Sequence, residues 1–394
     1  MFSKRKTIQL AISIVTLCIA ISGCSLNKNA KYYYKEGMKY FNEENYKKAE
    51  ENLEIAVTKD KNKAEYVLGH AFSLIKIGDY SEAINQFSKV ILDKNNKIVL
   101  ENNKKAYRGI GIAYFESSDY KKAYEAFNKS IDIKEMNDLN LDITYYIAKC
   151  EERLGLYKAA VKSYTTLIKE DKEDIKNYCS RAYSYEKLKE NEKALSDYNK
   201  AIKLDKKNYD VYFLKYFFVL NTKGTDEAKE VLQDALNIKS KESNSYNQGK
   251  IYYYLGDYKK AESKLQKALK EKNDNANFYL GEIAFGDKDY NKAIKYYESY
   301  IGNNSVIKSG TAYNQLGVSY LTVENYEKAL LTFQNGVRLG DPETIKTLKY
   351  NEIVAYEKLI QFDKALVKMK DYLAKYPNDE SAQKEYEFIK TRVQ

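Results

Sequence analysis

The stretch GKIYYYLGDYKKAESKLQKA, residues 249–268, contains the pattern that organises almost the whole chain. Tyr258 is followed three, seven and ten residues later by Ala261, Leu265 and Ala268. Those intervals put four side chains on one face of an α-helix. Upstream, Gly249 and Tyr252 stand three residues apart on a second helical stretch, and Gly256-Asp257 marks the turn between the two. The unit reads as helix, turn, helix.

Searching outward from it recovers ten copies at intervals of about 34 residues. Before it come Tyr46/Ala49/Leu53/Ala56, Tyr80/Ala83/Phe87/Val90, Tyr120/Ala123/Phe127/Ser130, Tyr157/Ala160/Tyr164/Leu167, Asn191/Ala194/Tyr198/Ala201 and Thr225/Ala228/Leu232/Ala235. After it come Tyr290/Ala293/Tyr297/Tyr300, Tyr326/Ala329/Phe333/Gly336 and Phe362/Ala365/Met369/Tyr372. The small-plus-aromatic pair of the first helix returns as Gly37 and Tyr40, Gly111 and Tyr114, and Gly317 and Tyr320. Small residues on both helices let their axes approach, and aromatics fill the space beside them. One such pair cannot bury its own apolar face, so neighbours must stack.

At this point the pattern resembles the tetratricopeptide repeat family, over residues 30–379. The resemblance is specific in the second helices and looser in the first. The family's Trp slot holds Tyr33, Tyr107, Tyr178, Tyr212 and Tyr313, and its closing Pro survives only as Pro377, with Pro342 one residue late. It implies an all-α, right-handed superhelical solenoid of about ten antiparallel helix pairs. Residues 380–394 read as a polar capping helix with Tyr386 and Ile389 facing inward. Extra residues near 98–103, 138–140, 308–309 and 344–345 are expected to bend the array at those joints. The sixth copy departs most. Its turn is Lys223-Gly224-Thr225, and its first helix is a dense apolar run, Phe213 to Leu220, which reads either as local overpacking or as an apolar patch in the groove.

Composition agrees. A chain of 394 residues is too long for one ordinary core, and 31% charged residues with two prolines suit long, water-facing helices. There are 40 tyrosines, 14 phenylalanines and no tryptophan, an excess that partly reflects AT-rich coding. Net charge is +10, or +7 without Lys4, Arg5 and Lys6. That is modest for this length and lacks the concentrated basic face of a nucleic-acid domain.

Residues 1–23 read as an export signal. Lys4-Arg5-Lys6 precedes a mainly apolar run from Ile8 to Ile21. As a helix that run spans about 21 Å, short of a bilayer core of about 30 Å. Ile21-Ser22-Gly23-Cys24 resembles the lipobox of bacterial lipoproteins. The resemblance implies lipid attachment at Cys24, with acyl chains such as palmitate, and a short tether over residues 24–29. Two acyl chains anchor firmly where one is marginal. The expected location is the extracytoplasmic face of the cell membrane.

Catalytic chemistry is missing. His70 is the only histidine and falls at a core slot of the second repeat's first helix. A histidine-based metal set would need companions. No nucleotide-binding Gly-rich loop, zincin pair or Ser-His-Asp candidate is present. Cys150 and Cys179 lie on adjacent first helices about five positions out of register, an offset of about 7 Å that is awkward for a disulfide. No enzyme activity, cofactor, metal, small-molecule substrate or nucleic-acid partner is expected.

The family resemblance implies a concave groove lined by first helices. Its slots hold Tyr145, Tyr183, Phe213, Phe217, Tyr246, Lys250, Tyr253, Tyr254, Phe278 and Phe285. Aromatics of this kind anchor partners at low entropic cost. A clamp for chaperone tails is not expected, since Arg108 occupies one of its slots but Ile112 the other. The function expected is therefore a membrane-anchored scaffold binding a protein or peptide in its groove. The other reading is an adaptor to anionic wall polymer or membrane. It would use lysines that follow the repeat tyrosine in eight copies, among them Lys47, Lys48, Lys121, Lys122, Lys259 and Lys260. Cations in a helix's first turn oppose its dipole, so helix stability does not explain them.

Overall fold

The computed structural model describes residues 28–238, 244–303 and 308–393. Residues 1–23, read above as an export signal, and Cys24 lie outside them. The chain divides into two compact units, one ending at Asp205 and the other beginning at Lys206. The first holds five helix pairs: α1 (Ala30–Asn42) with α2 (Tyr46–Lys59), α3 (Ala64–Ile77) with α4 (Tyr80–Val90), α5 (Lys97–Glu116) with α6 (Tyr120–Asp132), α7 (Asn140–Arg153) with α8 (Tyr157–Glu170), and α9 (Ile175–Lys187) with α10 (Asn191–Leu204). The second holds five more: α11 (Tyr209–Thr222) with α12 (Thr225–Leu236), α13 (Ser245–Leu255) with α14 (Tyr258–Lys270), α15 (Ala276–Gly286) with α16 (Tyr290–Gly302), α17 (Gly310–Thr322) with α18 (Tyr326–Leu339), and α19 (Ile345–Lys358) with α20 (Phe362–Lys375). A last helix, α21 (Glu380–Lys390), follows, and no strand occurs among the described residues.

Each second helix starts at the residue that opens the sequence motif, in all ten repeats. In six of them the reason lies one residue earlier. Asn45, Asp79, Asp119, Asp257, Asp289 and Asn325 each accept a hydrogen bond from the backbone N–H three residues on. Such a cap is worth about 1 kcal/mol. The motif's alanine has no exposed surface in any of the ten copies, and the large residue four further on is at most 2% exposed. Glycine on the first helix is required by contact. A Cβ at Gly317 would stand 2.3 Å from Phe333, and one at Gly111 would stand 2.6 Å from Phe127.

One residue before the cap, nine of the ten turns enter the left-handed region, at Glu44, Gly78, Ser118, Gly155, Lys189, Gly256, Lys288, Glu324 and Ile360. Ile360 is the costliest occupant: β-branched, φ +58° and 77% exposed. Ile360→Gly removes that strain and gives up little burial. It should stabilise the second unit by about 1 kcal/mol, seen as a raised denaturant midpoint. Ile360→Ala should gain less.

The extra residues at 98–103 are helical. They extend α5 to 20 residues, and the Asn103 side chain holds the preceding link by bonding both the N–H and the C=O of Leu92, at 3.0 and 2.8 Å. The extra residues near 138–140 form a 3-10 turn, Asn137–Leu139, leading into α7. In the sixth pair, Tyr216, Phe218 and Val219 are buried while Leu214 and Phe217 remain 45% and 40% exposed. The run is thus mainly packing.

Helix α21 lays Ala382 and Ile389 on the tenth pair, both fully buried, with Tyr386 beside them. Its cap, Asp379, accepts from Lys346 Nζ at 2.9 Å and Tyr372 Oη at 2.8 Å. These donors hold its carboxyl at about 2. Across the same interface, burial and the facing Glu385 push the Glu357 carboxyl well above the ordinary carboxylate range. A carboxyl raised on folding stabilises the fold fully below its unfolded value near 4.5, and that stability drains as pH rises through neutrality. Glu357→Gln should flatten this decline between pH 5 and 8.5, measured by thermal melts across pH.

Candidate functional site: the first-helix grooves

In the second unit, Tyr254 on α13 meets three rings of α11, with centroids 5.9 Å from Phe213, 5.5 Å from Tyr216 and 5.3 Å from Phe217. Tyr279 on α15 continues the strip, 5.3 Å from Tyr253 and 6.1 Å from both Tyr246 and Tyr254. Phe278 lies 5.1 Å from Tyr279. Phe285 packs edge-on against Tyr290 at 5.5 Å. Tyr246, Tyr253, Tyr254, Phe278 and Phe285 are all half-buried, and Phe217 is the most open of the set.

Two charged side chains enter this strip. The Lys250 ammonium lies 3.9 Å above the Phe213 ring. Burial pulls its pKa down, against the attraction of Asp210. Glu282 accepts from Tyr297 Oη at 2.5 Å and Tyr253 Oη at 3.5 Å, and burial raises its pKa. The strip therefore offers flat apolar surface, phenolic hydroxyls and one partly desolvated cation.

One expectation needs correction. Phe213 is only 4% exposed, because Lys250 and Tyr254 cover it. It supports the strip and cannot touch a partner. Tyr145 and Tyr183 belong to the first unit and are each 37% exposed. The Lys187 ammonium sits 5.0 Å over the Tyr183 ring.

The sequence reading missed a cavity of about 570 Å³ in the first unit. Its walls come from first helices α1, α3, α5 and α7, through Met38, Phe41, Phe72, Ile112 and Tyr146. Arg108 lies at its wall, bonded to Asp142 at 2.5 Å and 6.0 Å from the Phe72 ring. Met38, Phe41 and Phe72 stand on the first helices of the first two copies, but their convergence with Ile112 and Tyr146 is visible only in the structure.

The lysine row turns out to be held by its own repeat. Lys48, Lys122, Lys193, Lys260, Lys328 and Lys364 each lie 5.2–5.9 Å over the tyrosine eight residues earlier, from Tyr40 to Tyr356. Lys122 and Lys260 also reach the cap aspartates Asp119 and Asp257, at 2.9 and 2.7 Å. Lys292 reaches Glu262 on the preceding second helix at 2.7 Å. A nearby carboxylate answers the unfavourable dipole, and each ring contact adds about 0.5–1 kcal/mol at an exposed site.

His70 is 4% exposed, with Nε2 3.2 Å from Glu50. Cys150 and Cys179 are free thiols, and burial pushes them up to about 12 and about 11. Among the described residues no group of three or more His, Cys, Asp or Glu side chains is placed to hold a metal, and no helix is long and apolar enough to cross a membrane.

Comparison with known proteins recognises tetratricopeptide repeats at residues 68–138, 175–208 and 246–305. The TPR repeat-containing protein MJ1428 of Methanocaldococcus jannaschii is 25% identical over 372 residues, covering 86% of this chain and 62% of its own length. Hsp70-Hsp90 organizing protein 3 of Arabidopsis thaliana is 25% identical over 231 residues, covering 51% of this chain and 41% of its own. The chain thus spans less than two thirds of either relative. Among solved structures, yeast Tom70 superimposes with a TM-score of 0.52 at 15% identity, over 99% of this chain and 93% of that one. The fold is the all-helical tetratricopeptide solenoid fold, whose proteins present extended concave surfaces to protein or peptide partners.

Proposed function

We propose that the chain is a lipid-anchored scaffold on the extracytoplasmic face of the membrane, which holds an extended protein segment along its first helices. The observation that carries the binding half is the strip around Phe217, Tyr253 and Tyr254 with Lys250 at its edge. Rings with few rotatable bonds around one partly desolvated cation have the composition of a binding hot spot. The anchoring half rests on Ile21-Ser22-Gly23-Cys24 behind its apolar run.

Cross-linking on intact cells followed by mass spectrometry tests the binding. A defined polypeptide should be recovered, and Phe217→Ser combined with Lys250→Gln should reduce its yield at least tenfold. Recovery of no polypeptide ends this reading. Cys24→Ala should move the protein from the membrane to the soluble fraction; continued membrane retention ends the lipid anchor. For adaptation to anionic polymer, Lys122, Lys260 and Lys292 of the lysine row are engaged by rings and carboxylates of the chain itself, whereas Lys47, Lys121 and Lys259 stand exposed.

A further inference from the structure

A separate cavity of about 560 Å³ lies in the first unit against the second helices α2 and α4, with α3 also lining it. It is strongly acidic for a basic chain. Glu50 and Glu54 come from α2, Asp79 caps α4, and Glu82 lies in the first turn of α4. Among the described residues, none of Glu54, Asp79 and Glu82 forms an ion pair, and Glu50 has only His70. Lys61 and Lys89 also line the cavity without bridging these acids.

Two buried polar side chains of the lining are incompletely satisfied. His70, 4% exposed, has Nε2 3.2 Å from the acceptor Glu50, which in the neutral imidazole leaves Nδ1 as an acceptor, and Nδ1 has no partner. Gln86, 8% exposed, donates to Glu82 at 2.6 Å and leaves its Oε1 without a partner. Carboxylates, an imidazole lone pair and an amide oxygen are all acceptors, so the complementary group is a multiple donor. A metal ion is not the natural occupant, because no three ligand-type side chains are close enough to share one. Val57, Val67 and Leu74 also line the cavity and offer contact for methylene groups.

We propose that this cavity receives a Lys or Arg side chain of a partner polypeptide, its alkyl stem on Val57, Val67 and Leu74 and its cationic head among Glu50, Glu54 and Glu82. Acids in a cleft with apolar walls focus the field that would draw such a cation in. The assignment is independent of the first-helix grooves, since it uses residues on other faces of the repeats.

His70 makes the test direct, because a full chain without added histidines gives a single imidazole ¹³Cε1–¹Hε1 signal. The probes are a capped tripeptide with central Lys, its norleucine counterpart and n-butylammonium, at constant ionic strength. The Lys peptide should shift the His70 signal saturably, and norleucine should do so at least tenfold more weakly. Glu54→Gln/Glu82→Gln, which leaves the His70–Glu50 contact intact, should weaken the Lys peptide at least tenfold. An unchanged His70 signal in the free variant reports that the fold is preserved, and Glu82→Gln alone serves if it is not. Equal response to norleucine, an unaffected variant, or binding of n-butylammonium without the peptide each overturns the proposal.

Discussion

Arg181→Met is expected to cost about 3–5 kcal/mol of stability. The guanidinium bolts three helices of the first unit. From α9 it donates through Nε and Nη2 to both oxygens of Asp197 on α10, each at 2.8 Å. Its Nη1 donates to Thr165 Oγ1 on α8 at 3.0 Å. Asp197 is 5% exposed, so losing the arginine leaves a buried carboxylate unpaired. The penalty comes mainly from that stranded charge. A second change, Asp197→Leu, should therefore return most of the loss. Denaturant midpoints of both variants, with hydrogen exchange in α9 and α10, measure this. Exchange resolves which repeats open, since repeat arrays need not unfold in one step. If the double variant is no better than the single, the stranded-charge account is wrong.

Lys104→Met should be nearly as damaging, at about 3 kcal/mol. The Lys104 side chain has no exposed surface. From α5 its ammonium donates to the carbonyls of Ile133 and Glu135 and to Asn140 Oδ1, at 2.8, 2.7 and 2.7 Å. It thereby ties down the whole link between α6 and α7. Methionine fills a similar volume but leaves those acceptors without their donor. Amide exchange across residues 133–140 should accelerate well before that of α2 and α4. Lys121→Met, at an exposed position of α6, should change stability by no more than about 0.5 kcal/mol.

The repeat was legible because its signal is redundant: ten copies with Ala and a large residue four further on, seven of them opened by Tyr, at intervals only a helix makes useful. The residues that cap six of these helices were equally visible, as Asp or Asn before the motif, yet spacing arguments look at faces and pass over caps. Lys104 was not legible. A lysine in a helical extension reads as solvated until the backbone of residues 133–135 is seen to arrive beside it. Phe213 failed for a related reason, since repeat position assigns a side chain to a face but says nothing of what lies over it. Lys250 and Tyr254, from the next pair, cover that ring. The lysine row was legible as a row, but the ring partners of its second lysine were not. Its fixed distance of eight residues from a tyrosine was in the sequence, but only helix-pair geometry turns that distance into contact.

The common starting point of the ten second helices carries a consequence for descent. Segments bounded by two such points each keep a buried motif alanine and large residue, so unequal crossing-over at these points can lengthen or shorten the gene and still encode a chain whose faces match; a ring–lysine pair such as Tyr40 and Lys48 is split by the cut and re-forms only between copies that both carry it. The exceptions are junctions held by one-off residues. A duplication separating Lys104 from Ile133 and Asn140, or Arg181 from Asp197, would leave buried charge stranded in the product. The stretch from α5 to α10 should therefore be the part of the array that varies least in repeat number, and the pairs on either side the part where length drifts.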